Sequence, residues 1–365
     1  MIAPWKKYVV DGDDYSEDEK RVLREYGHHV FKKYLFIILC ALALVVVMGL
    51  SISVGPGNIG FFESFQIVID HLNHNIDDEV KDFIIWDVRV PPMIAGILGG
   101  AALAIAGATM QSTIKNPLAD PYTTGISSGA SFGATLAIVL GYNILGNEYG
   151  IVVNAFFFSL IPMVAIMLIA ATRKASPTTI ILAGLAVMYL FNAMTTVIML
   201  RADPNALAQA YTWQVGTLGL IVWDDLPIMF VFTIVGGVIL VSLSSKINIL
   251  NAGDESAKSL GINADVLRII CLLIVSLMAA AIVSFTGIIG FVGLICPHIC
   301  RMFIGSDNRF LLPASAVFGA MFLILADLIG NNIILPSTLQ VGVVTAFLGS
   351  PVLIFLLVKL KREAW

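Results

Sequence analysis

The sequence predicts an all-α, polytopic membrane protein of about ten transmembrane helices, and three observations carry that expectation. Of its 365 residues 58% are hydrophobic and 13% charged, whereas a soluble domain carries about 25% charged residues. Apolar stretches recur along the chain, most of them with the roughly 17 to 25 residues a helix needs to cross a bilayer. Nearly all the basic residues sort to one side of those stretches. A water-soluble fold has no interior large enough for so much apolar surface.

Taken in order, residues 1–33 are polar and read as a cytoplasmic N-terminal extension, neither a signal peptide nor a span. Ser16 followed by Glu19 fits a capping box that opens a helix toward the first span. His28 and His29 are adjacent, so they point to different faces of a helix, which argues against a metal-ligand pair. The spans are read at 34–54, 92–112, 123–142, 150–171, 177–199, 226–244, 267–286, 288–304, 311–330 and 341–358, with 34–358 as one transmembrane domain and 359–365 as a cytoplasmic tail. Lys and Arg beside spans stay in the cytoplasm. With the N-terminus inside and ten spans, all of the 21 basic residues fall inside except Lys81, Arg89 and Arg201. Both termini are therefore expected in the cytoplasm. Cys40, Cys271, Cys296 and Cys300 all lie in apolar segments without paired spacing, which indicates neither a disulfide framework nor a zinc site.

The connection between the second and third spans is the most informative. Asn116-Pro117-Leu118-Ala119 puts a polar, proline-broken turn between Gly96 to Gln111 (GILGGAALAIAGATMQ) and a run with Gly125, Gly129 and Gly133 at four-residue spacing. Small residues at that spacing let helices in lipid approach closely. Gly96 and Gly100 on one side, and Gly125, Gly129 and Gly133 on the other, are read as helix-packing ridges of two helices lying backbone to backbone. Lys115 and Asp120 flank the turn, which on this topology lies at the cytoplasmic mouth and is expected to shape an inner gate.

Two polar insertions follow in the C-terminal half. Gly287-Ile-Ile-Gly290-Phe-Val-Gly293-Leu-Ile-Cys-Pro297-His298-Ile-Cys-Arg301 interrupts a span, and a proline removes a backbone donor, so the segment is expected to face a cavity or a partner helix. Asp327 lies within the ninth span, where a carboxylate is costly and marks either a functional group or a polar lock between helices. Between the sixth and seventh spans, 245–265 carries Asp254 and Glu255, suited to a helix N-terminus, Ala257 to Leu260 as its body, and Gly261 as its stop. That spacing predicts a short helix across the cytoplasmic face, a shape suited to docking another protein.

In series, Arg89-Val-Pro91, GAALAIAGATMQ, NPLADP, GISSGASFGA, Gly253-Asp-Glu with Ala257 and Leu260-Gly261, GIIGFVGLICPHICR, Gly305-Ser-Asp307-x-Arg309, Ala326-Asp327 and the run from Val341 through Gly349-Ser-Pro351 resemble the permeases of type II ABC importers, over roughly residues 34–358. That family takes up cobalamin, ferric siderophores, haem and related metal chelates. The resemblance implies a permease subunit paired with a second copy or a close relative, two ABC ATPase subunits below, and an extracytoplasmic solute-binding protein above. It implies ATPase coupling through the segment matching Asn251 to Ile262, with Asn251, Gly253, Asp254, Glu255, Ala257, Leu260 and Gly261. The inner gate is expected near Asn116, Pro117, Leu118, Pro297 and His298, and the resemblance implies docking of the binding protein at Arg89. Family members commonly carry further outer arginines where this chain has Pro92 and the Gly330-Asn331 region, so docking here is expected to rely less on ion pairs.

No G-x4-G-K-[ST] phosphate loop is present, so no cofactor is expected on this chain; ATP and magnesium belong to the ATPase. Nor is an enzyme expected. The run Gly125-Ile-Ser127-Ser128-Gly129 matches the nucleophile elbow of serine hydrolases and would pair Ser127 with His298, but that elbow needs a strand-turn-helix context. An ion-coupled secondary transporter would need intramembrane charges, of which Asp327 is the one good candidate. A faint inverted echo between the second and seventh spans is of the kind transporters show. An iron chelate is the broadest substrate expectation, cobalamin the next.

Overall fold

The computed structural model describes residues 17–360 apart from 56, 58, 147–148, 173–175 and 335–336. Ser16 of the expected capping box, together with Lys6, Lys7, Arg173, Lys174, Lys361 and Arg362, lies outside the described residues. Fifteen α-helices follow one another: α1 (Glu17–Ser53), α2 (Phe61–Leu72), α3 (Glu79–Phe83), α4 (Val90–Ile114), α5 (Ile126–Leu140), α6 (Gly150–Thr172), α7 (Pro177–Met199), α8 (Pro204–Val215), α9 (Leu226–Ser242), α10 (Ser244–Ala252), α11 (Asp254–Ser259), α12 (Ala264–Thr286), α13 (Val292–Ile304), α14 (Asn308–Asn332) and α15 (Val341–Leu360). No strand occurs among the described residues.

The ten apolar stretches correspond to α1, α4, α5, α6, α7, α9, α12, α13, α14 and α15. Seven helices are long and apolar enough to cross a membrane, and three apolar helices are shorter: Ile126–Leu140, Val292–Ile304 and Val341–Phe355. The first span is the continuation of a helix that starts at Glu17, so no break marks the boundary at residue 33. The third starts later than 123, because residues 121–124 form a 3-10 turn capped by Asp120 before α5 begins.

Local signals account for many helix starts. Asp203 accepts hydrogen bonds from the amides of Asn205 and Ala206, with Pro204 at the first helical position of α8. Ser176 with Pro177 opens α7 in the same way, and Asn263 caps α12. Four helices are additions to the sequence reading: α2, α3, α8 and α10. All are too short to span, and the first two fold the acidic loop after α1 into structure, joined to α4 by a π-helical turn at 84–89.

At the centre stands α4, buried along nearly its whole length. It lies against α14, α12, α13 and α9, while α5 lies against α6 and α7, and α12 joins the two groups. Backbone approach explains the small residues. Gly107 leaves no room for a Cβ against the carbonyl of Gly293, and Gly100 none against Gly319. Gly96 meets Ile324 and Leu218, Gly129 the backbone of Phe158, and Gly133 that of Asn154. The two glycine ridges therefore do not face each other, as the sequence suggested. The 3-10 turn carries α5 away from α4: the α4 ridge finds its close contact in α14, far along the chain, and the α5 ridge in the helix that follows it, α6.

Candidate functional site

At the end of the bundle that bears residues 112–125, α10–α11 and 305–309, polar side chains gather from five elements. Helix α4 stops at Ile114, with Lys115 in the left-handed region at φ 56°. The turn then closes on itself: Asn116 Oδ1 accepts from the Leu118 amide at 2.9 Å, and the Ala119 amide donates to the Asn116 carbonyl at 3.1 Å. Pro117 and Leu118 are exposed, Asn116 is half-buried, and Ala119 and Asp120 are buried. Burial pushes the Asp120 carboxyl up to about 6, opposed by the backbone amides of Thr123 and Tyr122. Gly125, at φ 87°, turns the chain into α5.

Residues 254–259 form the short helix expected across this end. Gly253 precedes it at φ 140°, Gly261 follows at φ 74°, and the Ile262 amide returns to the Ala257 carbonyl. Ala257 is fully buried against the bundle, whereas Leu260 points outward, 65% exposed. Asn251 and Glu255 are also exposed.

Asp254 is held from two sides. Lys115 Nζ reaches its Oδ1 at 2.9 Å, and an Arg268 terminal nitrogen reaches the same oxygen at 3.0 Å. Those hydrogen bonds and charges, Lys115 foremost, hold the Asp254 carboxyl below the usual carboxylate range. Arg268 is fully buried; it also donates through Nε to the Thr113 carbonyl at 3.2 Å and through its other terminal nitrogen to Asp265 at 3.2 Å. A second network lies alongside. Ser112 donates to Asn308, and Asn308 donates through both its amide and its side chain to Asn248 of α10. Asn248 in turn donates to Asp307 at 2.7 Å.

The polar segment after α12 breaks at a different place from the one its proline suggested. Residues 287–290 are not helical, and Phe291 takes φ 69° to start α13. Pro297 lies inside α13. It has no N–H for the Gly293 carbonyl one turn back, and Gln111 of α4 supplies a donor instead, at 3.3 Å to Gly293 and 3.1 Å to Leu294. Gln111 also accepts from Arg301 at 3.0 Å. The Tyr122 hydroxyl donates to the Ile289 carbonyl at 2.9 Å in the break. So the glycines make the interruption, and the proline is accommodated within the helix. His298 is half-buried beside it.

At the opposite end Arg89 is engaged within the chain. Its guanidinium donates to the carbonyls of Ile52 and Ser53 at 2.7 and 3.0 Å, closing the C-terminus of α1. Asp327 accepts from Asn331, one turn along the same helix, at 2.9 Å, so this hydrogen bond is not a lock between helices. Ser127 is half-buried at the start of α5, after a 3-10 turn and with no strand before it, which is not the context of a nucleophile elbow. The four cysteines are buried free thiols, and no cluster of three His, Cys, Asp or Glu that could hold a metal occurs among the described residues.

Sequence reasoning missed Arg268, Asn248, Asn308, Ser112 and Gln111. One signal was available: Arg268 is a charge inside the apolar run 267–286, where an unpaired cation is costly. The amides and the serine carried none, because their partners lie 59 or more positions away along the chain.

A bundle of apolar helices with a buried break, and a surface helix tied to a polar turn at one end, is the architecture of a membrane transport permease. The chain belongs to the FecCD transport family, which matches residues 42–359. It is 40% identical, over 93% of this chain and 99% of the other, to a protein of Methanocaldococcus jannaschii assigned as an ABC transporter permease. It is 32% identical, over 89% and 94%, to the Fe(3+)-citrate import system permease of Bacillus subtilis. A solved structure assigned to a metal-chelate type ABC transporter in an inward-facing conformation superposes with a TM-score of 0.78, at 27% identity, over 88% of this chain and 98% of that one.

Proposed function

We propose that this chain is the permease subunit of an ATP-driven importer and forms the pathway for an iron chelate or a cobalamin-like metal complex. Two copies, or one copy and a close relative, enclose the pathway. Two ATPase subunits dock at the end bearing α11 and supply ATP hydrolysis with their magnesium; a solute-binding protein delivers the complex at the other end. The chain itself binds no cofactor and catalyses no reaction. The end with residues 112–125 faces the cytoplasm, as do both termini, because the basic residues gather there.

The observation that carries the proposal is the ion-paired connection between α11 and the Asn116–Ala119 turn. A helix that merely decorated a loop would have no reason to be tied to the mouth of the bundle; one that receives a push from an ATPase would. Asn116, Pro117 and Leu118 belong to the gate, with Pro297 and His298 at the neighbouring broken helix. Asn251, Gly253, Asp254, Glu255, Ala257, Leu260 and Gly261 shape the coupling surface, with the exposed Leu260 offering an apolar contact. Alternation of access then follows from a shift between two arrangements of packed helices. Arg89 is assigned to docking of the binding protein at the outer surface, beside the end of α1 that it closes.

The test is reconstitution in vesicles together with an ATPase subunit and a solute-binding protein of this importer family. Uptake of a ferric chelate or of cobalamin that requires ATP and all three components is the expected result. Uptake by this chain alone, driven by an ion gradient, would overturn it. Orientation has its own check: Asn116→Cys should label from the cytoplasmic side only.

A further inference from the structure

Three tethers run from the α10–α11 unit to the last turn of α4, and they end on neighbouring residues. Asn248 reaches Ser112 through Asn308. Asp254 reaches the Thr113 carbonyl through Arg268, and Lys115 directly. Residues 112, 113 and 115 lead straight into Asn116, so the surface helix and the turn it neighbours share one attachment point.

The middle tether differs from the other two. Arg268 is 0% exposed, while Asp254 is 49% exposed. A buried guanidinium needs its compensating oxygens, because a cation left short of partners away from water costs far more than an exposed one. Displacing α11 therefore either drags Arg268 and the Thr113 carbonyl along or strips the buried charge of one of its carboxylates. The first alternative is much the less costly. Arg268 stands on α12, and Asp265 in that helix's first turn also holds it, which keeps the guanidinium oriented while Asp254 moves.

From this geometry we infer that Asp254 and Arg268 form the strut that carries displacement of α11 to the Asn116–Ala119 turn, with Lys115 as its outer, solvent-screened brace. They are positioning residues: neither needs to touch ATP, ATPase or cargo to act. This inference rests on the permease reading for its purpose, but its mechanical content stands on the chain alone.

Two measurements test it on the full chain. The first is amide hydrogen exchange of the purified protein, comparing wild type with Asp254→Asn and Arg268→Lys. The strut predicts at least a tenfold rise in exchange in both 254–262 and 116–123. A rise confined to 254–262 overturns it. The second uses the reconstituted complex with its ATPase. Arg268→Lys, a change at a fully buried position away from the coupling surface, should retain ATPase binding and hydrolysis within about twofold while cargo imported per ATP falls at least tenfold. Unchanged coupling, or loss of ATPase binding in step with loss of uptake, overturns the strut. Should the wild-type complex show no ATP-driven uptake, the permease reading fails, and the exchange experiment still decides whether the strut exists.

Discussion

The two ends of the bundle are closed by different chemistry. At the end with α10 and α11, a fully buried arginine, a lysine and a chain of amides join elements far apart in sequence. At the other, aromatic rings do the joining: His71 stacks on Trp86 at 4.0 Å and Trp86 on Trp223 at 4.7 Å, with the Trp223 indole donating to the Trp86 carbonyl. The polar pairs there are local to α2 and α3, an ion pair of Lys81 with Glu63 and a hydrogen bond between His71 and Asp82. Arg89 reaches back to cap the carbonyls of Ile52 and Ser53. Stacked rings and a capped helix end resist sliding. A strut of charges transmits it, since the pairs keep their partners while the helix moves. Under the proposed coupling, the end with α10 and α11 is the one expected to move.

Breaking the strut should give the largest effect. Arg268→Met removes the buried cation and leaves two carboxylates and a carbonyl without it, and is expected to destabilise the protein by about 3–5 kcal/mol, read as loss of thermal stability in detergent. A loss under about 1 kcal/mol would mean that water reaches the site. Next, Arg89→Ala at the opposite end should cost about 1.5–3 kcal/mol, the range for hydrogen bonds to a charged group. The loss should appear as fraying of α1 near Ser53 in hydrogen exchange, with the α11 end unchanged.

Acid should separate the ends further. Burial raises the Asp307 carboxyl, but hydrogen bonds from Arg309 and Asn248 outweigh it and bring the group down to about 2. A depressed carboxylate contributes stability that is fully present above its unfolded value near 4 and is lost as pH falls toward 2. Exchange in 244–252 and 307–311 should therefore rise as pH falls from about 4 to 2, and Asp307→Asn should abolish that dependence. Salt should have the smallest effect. The exposed Lys81–Glu63 pair holds Glu63 below and Lys81 above their usual ranges. Half-molar salt screens it, shifting the Glu63 titration upward without altering exchange around Arg268.

Much of the architecture was legible before any coordinates. Long apolar runs located every membrane-length helix because in lipid a backbone must satisfy its own hydrogen bonds, and a helix does so within one segment. The short helix at 254–259 was legible for a related reason: acids at its start and glycine at its stop are local chemistry. By contrast α2 and α8 carry no apolar run of span length to announce them, although their caps are present, Asp203-Pro204 above all.

What the sequence by itself determined, then, was which segments become helices, where the main turns fall and which side gathers the cations. All of these depend on neighbours within a turn or two. Which helix each glycine ridge meets, that Gln111 supplies the donor for the carbonyl Pro297 leaves bare, and that Arg268 stands between Asp254 and Thr113 were decided only by the tertiary structure. Those relations join residues more than a dozen, and mostly more than a hundred, positions apart. They exist because close-packed backbones and a buried charge each have one low-cost arrangement, and only the assembled bundle defines it.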